Sequence, residues 1–446
     1  MHLPRGRIDF FQSTTSVLLL TCFLALATRT SIAAVTATRL DGATISGELR
    51  SWTESQLVIA TSAGEQHITA EELLSLSWPA ADKSADSQEN ASGLVDLTDG
   101  SEIPIENISV RSKQSTSKDQ SGSATLTSPR STSPKSPVVT TLPTNRIAVV
   151  LFKPVNGALV KQWAEIRGLK SAGDLLVVAK RDGTSLDYVE GVVGEVSSDK
   201  VEFKLDGETN RVDRARVTGI VYSHPSDPSA AKTNLVVHGR SGLRLNVNEI
   251  HLADDFVTMK TTGGTSVRWP VSDLDGADFS SGKLMYLSDI EPASQNWTPL
   301  VGLPTGISLA AQYGLPRRNH SAFGDMLTLN IKNKNDDTTR PGALRSFTKG
   351  LALRSRTELV YRLPEGFNRF TALAGIDPDT ASTGNVQLTI LADDRSLLAT
   401  EVAGGQSPLP IDVAISNAKR LKIIVDFGQN LDTGDWLNLC DAKILK

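Results

Sequence analysis

Val386, Leu388 and Ile390 alternate with polar residues in NVQLTILADDRSLLATEV, and the same period of two returns over Leu421 to Val425. A period of two puts every second side chain on one face, so these stretches predict half-buried antiparallel strands. Asp393-Asp394-Arg395 and Ala403-Gly404-Gly405 read as the turns between them. Upstream the pattern is shorter in wavelength and recurs. Residues 35–80, 92–155, 172–224 and 233–283 each show brief apolar-alternating runs separated by turn residues about every 8–12 positions. Asp41-Gly42, Asp99-Gly100, Arg181-Asp182-Gly183 and Asp206-Gly207 supply turns, and Gly263-Gly264 another. The common formula is strand, glycine turn, strand, polar turn, apolar strand, glycine turn, and a last strand. Recurrence at this length marks repeated small β units.

The pattern predicts an all-β protein: repeated small β-barrel units, of Sm-like or SH3-like type, followed by one larger β-sandwich. Each unit is near the size at which a core is marginal, so packing between units is expected. Two segments break the rhythm. Residues 111–144 are rich in Ser, Thr, Pro and Lys with few large apolar residues, which predicts a disordered linker interrupting the second unit. Residues 156–169 carry Leu159, Trp163 and Ile166 at helical spacing between Asn156 and Gly168, which predicts one short helix.

Composition adds compartment and excludes some classes. The 446 residues suit about three domains. A net charge of −4 gives no basic footprint for nucleic acid. Arg5 and Arg7 precede an apolar run, Val17 to Ala27, too short to span a bilayer, and Ser31-Ile32-Ala33 offers small residues for cleavage; residues 1–33 are therefore read as a signal peptide. The expected location is secreted, periplasmic or cell-surface. Removal of Cys22 would leave Cys440 alone, so no intramolecular disulfide is expected, and Cys440 reads as a small buried hydrophobe.

From Leu284 the residues also carry a resemblance. Tyr286-Leu287-Ser288-Asp289, Lys349-Gly350-Leu351 with Ser355, Tyr361 with Leu363, Phe367 with Arg369-Phe370 and Gly375-Ile376-Asp377 follow in order. Val386 to Ile390, Ile411-Asp412-Val413, Leu421 to Val425, Asp435-Trp436 and Asp441-Ala442 complete the set. Over residues 284–446 this resembles the NPCBM family of carbohydrate-binding modules, found in exported bacterial proteins and beside glycoside hydrolases. The resemblance implies a galactose-binding-like jelly roll, with the closing strand placing the C-terminus beside the module's first strands. Many members carry a histidine near the glycine turn where this chain has Arg354, and a polar residue where Gly434 precedes Asp435.

Sugar recognition combines an aromatic face with planar acid, amide or guanidinium groups. Trp297, Tyr313, Arg354, Asp435 and Trp436 are the ligand-binding candidates on that criterion. Trp297 and Tyr313 lie in loop-like sequence. Trp436 follows a Gly-Asp turn and opens the last strand, where core is the first reading and ligand platform the second, and Tyr361, Phe367 and Phe370 read as core. Asp377 and Asp379, in GIDPDTASTGN, offer clustered oxygens suited to a structural Ca²⁺; turn capping accounts for them equally. No Gly-x-Ser-x-Gly, His-Glu-x-x-His or P-loop occurs, and the six histidines fall at no ligand spacing, so no enzyme activity is expected. The expected function is an exported, non-catalytic carbohydrate-binding protein whose partner is a polysaccharide or glycoconjugate and whose β repeats act as spacers or docking units. The alternative is a structural protein–protein interaction protein whose sandwich has lost its sugar.

Overall fold

Short alternating strands and glycine turns assemble into two kinds of antiparallel sheet. A computed structural model describes residues 34–79, 93–111, 122–129, 137–181, 183–224, 233–302, 313–324, 326–331 and 343–446. The segment read above as a signal peptide, residues 1–33, lies outside them.

The first unit comprises β1 (Ala34–Arg39), β2 (Thr44–Trp52), β3 (Gln56–Thr61), β4 (Gly64–Thr69) and β5 (Leu73–Ser77). They pair in the order β5-β1-β2-β3-β4. The second holds β6 (Gly93–Leu97), β7 (Glu102–Ile105), β8 (Asn107–Arg111), β9 (Ser123–Thr127), β10 (Val139–Pro143) and β11 (Ile147–Leu151). Its long second strand is broken at Glu106 into β7 and β8. After helix α1 (Ala158–Arg167) come β12 (Asp174–Ala179), β13 (Leu186–Val196), β14 (Lys200–Leu205), β15 (Glu208–Asp213) and β16 (Val217–Val221). The fourth unit is β17 (Leu235–Gly239), β18 (Arg244–Ala253), β19 (Phe256–Thr261), β20 (Ser266–Pro270) and β21 (Leu274–Asp278). Pairing order is the same in each, and a three-residue helical turn precedes each fifth strand. Gly42, Gly100 and Gly242 occupy the equivalent first turn at φ of +84°, +79° and +90°, a region that favours glycine.

Two expectations need correction. The units are bent sheets, not closed barrels: among the described residues no fourth strand pairs with the fifth of its own unit. Backbone groups on the fifth strand are used between units instead. Residues 111–144 are also not one linker, because Ser123–Thr127 and Val139–Pro143 are the paired strands β9 and β10. Ala124, Leu126, Thr140 and Leu142 are buried there. Two inward residues per strand suffice because Ala124, Leu126 and Leu142 join an apolar cluster shared with the neighbouring units.

The units associate in pairs through their fifth strands. In β5–β21, Leu76 faces Ala277, flanked by Ser75↔Asp278 and Ser77↔Gly276. In β11–β16, Val150 faces Ile220, flanked by Val149↔Val221 and Leu151↔Gly219. Counted from the start of each fifth strand, both registers centre on its fourth residue, so each pair is self-complementary about a local two-fold axis. What differs is the outer face. Units two and three present Val149, Leu151 and Val221, and α1 covers them with Trp163 and Ile166. Units one and four present Ser75, Ser77 and Asp278, which give no helix an apolar seat. Gly219 lies under Trp163; a Cβ there would sit 2.4 Å from the indole. One apolar cluster runs through all four units, and Trp52, Trp78 and Phe279 join units one and four at centroid distances of 5.9 and 6.4 Å.

The C-terminal module contains β22 (Leu284–Tyr286), β23 (Ser294–Trp297), β24 (Arg317–Arg318), β25 (Leu327–Ile331), β26 (Ala343–Phe347), β27 (Gly350–Arg354), β28 (Thr357–Arg362) and β29 (Arg369–Ile376). It continues with β30 (Asn385–Ala392), β31 (Arg395–Ala403), β32 (Leu409–Ala414), β33 (Arg420–Phe427) and β34 (Trp436–Leu445). One sheet runs β24-β27-β34-β29-β32 with β22 also on β34; the other runs β23-β28-β33-β30-β31. Leu284 pairs with Leu445, which seats the last strand against the first. Val386, Leu388 and Ile390 point into the sandwich with Leu421, Ile423 and Val425, as their alternation requires. Tyr361, Phe367 and Phe370 are core as well.

Candidate functional site

Strand β34 shows two faces to two different cores. Leu437 and Leu439 enter the sandwich, whereas Trp436 and Cys440 turn outward. The outward pair is covered by the β25–β26 hairpin, whose Leu327 and Leu329 complete a small second core with Ala352. Burial there pushes the Cys440 thiol up to about 12, so it behaves as a small hydrophobe. Trp436 is 1% exposed and forms the floor at one end of this layer.

Two rings stand on that floor. Tyr313 and Phe323 meet Trp436 edge-on, with centroids 6.0 and 6.1 Å away and interplanar angles of 79° in both cases. This perpendicular geometry suits the ring quadrupoles and leaves the outer faces open. Each of the two is 50% exposed. Arg354 lies directly opposite Trp436 in the β27–β34 register. Its guanidinium carbon is 4.9 Å from the Tyr313 centroid and 5.8 Å from that of Trp436, and Arg317 approaches Trp436 to 5.9 Å. Arg354 Nη2 donates to both the carbonyl and Oδ2 of Asp432 at 3.2 Å. The guanidinium is thereby oriented before any ligand arrives, with other N–H donors left to it.

The remaining sequence candidates support this platform rather than extend it. Trp297 Nε1 donates to the Ser355 carbonyl at 3.0 Å, and its ring is packed against Gly314, where a Cβ would come within 1.9 Å. It props the residue next to Tyr313. Asp435 is fully buried, and its Oδ1 accepts from the Asn385 amide at 3.1 Å. Burial raises its pKa, opposed by the Asn385 amide, Ser355 and Arg354. It clasps β34 to the start of β30 and does not reach the surface.

Asp377 and Asp379 do not converge on a cation site. Asp379 is exposed, whereas Asp377 is buried and its oxygens are occupied by protein donors. Oδ1 accepts from the Asp379 amide at 3.0 Å, and Oδ2 from Ser321 Oγ at 2.7 Å and Asn438 Nδ2 at 2.9 Å. Ser321 Oγ in turn accepts from the Phe323 amide at 3.1 Å. The carboxylate thus anchors the loop that carries Phe323, and among the described residues no group of three or more His, Cys, Asp or Glu could hold a metal ion. Sequence reasoning missed Arg317, Asp432 and this role of Asp377. Phe323 had a usable signal, an isolated aromatic in the polar stretch NHSAFGD.

Residues 284–445 match the family model of the NPCBM/NEW2 domain. The C-terminal module is an NPCBM domain. Among solved structures, the chain is similar to the CBM51 module of Clostridium perfringens GH95, solved with methyl-galactose. Identity there is 23%, covering 36% of this chain and 99% of that one, at a TM-score of 0.30. It is also similar to the CBM51-2 and INT domains of C. perfringens ZmpB, solved with GlcNAc, at 17% identity, 46% and 42% coverage and a TM-score of 0.31. The tandem CBM51 modules of a Streptococcus pneumoniae family 98 glycoside hydrolase match at 12% identity, 60% and 88% coverage and a TM-score of 0.30. No curated protein matches the chain. The family match carries the assignment, and it supports a carbohydrate-binding role for the NPCBM domain.

Proposed function

We propose that this is an exported, non-catalytic carbohydrate-binding protein, in which the NPCBM domain takes a terminal sugar of a polysaccharide or glycoconjugate. The four β units act as the spacer or docking part. The observation that carries the reading is the pair of half-exposed rings, Tyr313 and Phe323, set upright on buried Trp436 beside an oriented Arg354. The apolar face of a pyranose packs on such rings while the guanidinium donates to its hydroxyls. Among the described residues, two carboxylates near the platform are committed elsewhere: Asp432 to Arg354 and Asp435 to the Asn385 amide. Neither of these two is a free acid of the kind that glycoside hydrolysis pairs across its substrate.

The test is a glycan array probed with the full chain, with Ca²⁺ and with chelator. Retention on galactose-, N-acetylhexosamine- or fucose-containing glycans is expected. Chelation is expected to leave it unchanged, because the Asp377 oxygens are filled by Ser321, Asn438 and the Asp379 amide. Absence of binding across all three glycan groups sinks the reading and favours a protein partner.

A further inference from the structure

Away from the platform, the first β unit and the NPCBM domain enclose a cleft of about 310 Å³. That volume lies at the small end of ligand sites, roughly 300–1,000 Å³, and suits a compact molecule rather than a folded partner. Its walls are apolar: Leu40 and Leu74 come from the first unit, and Leu373 and Leu445 from β29 and β34. Three cations also line it, and each is held in place. Arg369 grips both oxygens of Asp412 and donates from Nη1 to the Leu40 carbonyl at 3.2 Å. Lys443 donates to Asp441 at 2.6 Å. Arg345 projects from β26 with its guanidinium carbon 5.0 Å from the Phe347 centroid. Asp41, on the neighbouring turn of the first unit, pairs with Arg39 at 3.9 Å. Among the described residues no carboxylate forms an ion pair with Arg345, and no protein group accepts a hydrogen bond from it.

Resting on the glycan-binding reading above, we infer that this cleft is a second glycan site and that it takes an acidic sugar, one bearing a carboxylate or a sulfate. The charges decide the class. Asp412 and Asp441 answer Arg369 and Lys443, which leaves the Arg345 charge uncompensated. Its planar fork matches two oxygens of a carboxylate or sulfate, and the Phe347 ring orients that fork before a ligand arrives. The leucine walls receive the apolar face of the sugar ring. The cleft shares no residue with the Tyr313–Phe323–Arg354 platform, since Lys443 and Trp436 lie near opposite ends of β34. Arg345 is exposed, so its exchange leaves the fold intact.

The experiment is calorimetric titration of the full chain, and of its Tyr313→Ala/Phe323→Ala form, with methyl glucuronide, methyl galactoside 6-sulfate, methyl galactoside and inorganic sulfate. The first two probes separate a carboxylate from a sulfate source. With the platform rings removed, at least one acidic sugar is expected to bind about tenfold more tightly than methyl galactoside, the scale of one hydrogen bond to a charged group. Arg345→Gln added to that form should weaken the acidic sugar about tenfold, and Arg345→Lys should restore part of the loss. Equal binding of acidic and neutral sugars, or an Arg345→Gln chain that keeps the acidic-sugar affinity, overturns the cleft assignment. Inorganic sulfate bound as tightly as the sulfated sugar overturns it too, because the cleft is then an anion site only. An intact chain that binds no neutral glycan, yet binds an acidic sugar through Arg345, overturns the platform reading and keeps the cleft. No binding of any sugar overturns both.

Discussion

At the residue scale the site separates rings that face solvent from groups that hold them in place. Tyr313→Ala or Phe323→Ala removes a stacking face from a half-exposed position, and each is expected to weaken sugar binding about tenfold, roughly 1.4 kcal/mol, with little change in stability. Asp377→Ala acts through the fold first. It leaves Ser321 Oγ and Asn438 Nδ2 without their shared acceptor in a buried layer. A loss of about 2–4 kcal/mol in urea unfolding is expected, together with weaker binding through the freed Phe323 loop. Asp435 gives a pH signature. Burial raises its folded pKa above the unfolded value, so its contribution is most favourable below the unfolded pKa and is lost as pH rises through the folded one. Asp435→Asn should flatten that part of the stability–pH profile; an unchanged profile would remove Asp435 as its source. The aromatic candidates in loop sequence were legible, but exposure was not: Trp297 and Tyr313 look alike in the chain, and only the folded loop spends the Trp297 face on Gly314.

At the element scale the chain repeats one plan and varies it by a few side chains. Strands were readable from alternation wherever large apolar residues carried it. They were not readable in β9 and β10, where Ala124, Leu126, Thr140 and Leu142 are the buried positions in Ser/Thr-rich surroundings. The open units escaped the sequence for a different reason. Whether a fifth strand closes on the fourth strand of its own unit or pairs with the fifth strand of another depends on long-range partners that local turn chemistry does not encode. Helix α1 shows how small the local difference is, since it seats on Val149, Leu151 and Val221 where the other pair offers Ser75, Ser77 and Asp278. Gly219→Ala is therefore expected to push Trp163 off the strand and cost about 1–3 kcal/mol, read as a lower denaturant midpoint and a changed near-ultraviolet signal. Asp99 ties unit two to unit four by accepting from the Gly263 amide at 2.7 Å. Burial opposes its ionisation, yet hydrogen bonds from Thr261, Ser101 and Gly263 keep its pKa low. Its stabilisation is present above the unfolded pKa and is lost as pH falls through the folded one.

At the scale of the whole molecule, the four units share one apolar core while the NPCBM sandwich has its own. Units too small to bury enough surface alone gain it from each other, and the two self-complementary fifth-strand junctions set how they do so. Trp52→Ala is expected to destabilise the β units by about 3–5 kcal/mol, because it removes the ring that Trp78 and Phe279 share. Sugar affinity of the folded protein should stay within about twofold, since no residue of the platform touches that core. The claim that matters most is that the Tyr313–Phe323–Arg354 platform binds the glycan, and the most direct measurement compares the intact protein with its Tyr313→Ala/Phe323→Ala form by calorimetric titration against the glycan it retains on the array. Loss of measurable binding with an unchanged melting temperature is the expected result; a double variant that binds as tightly as the parent protein would contradict the account.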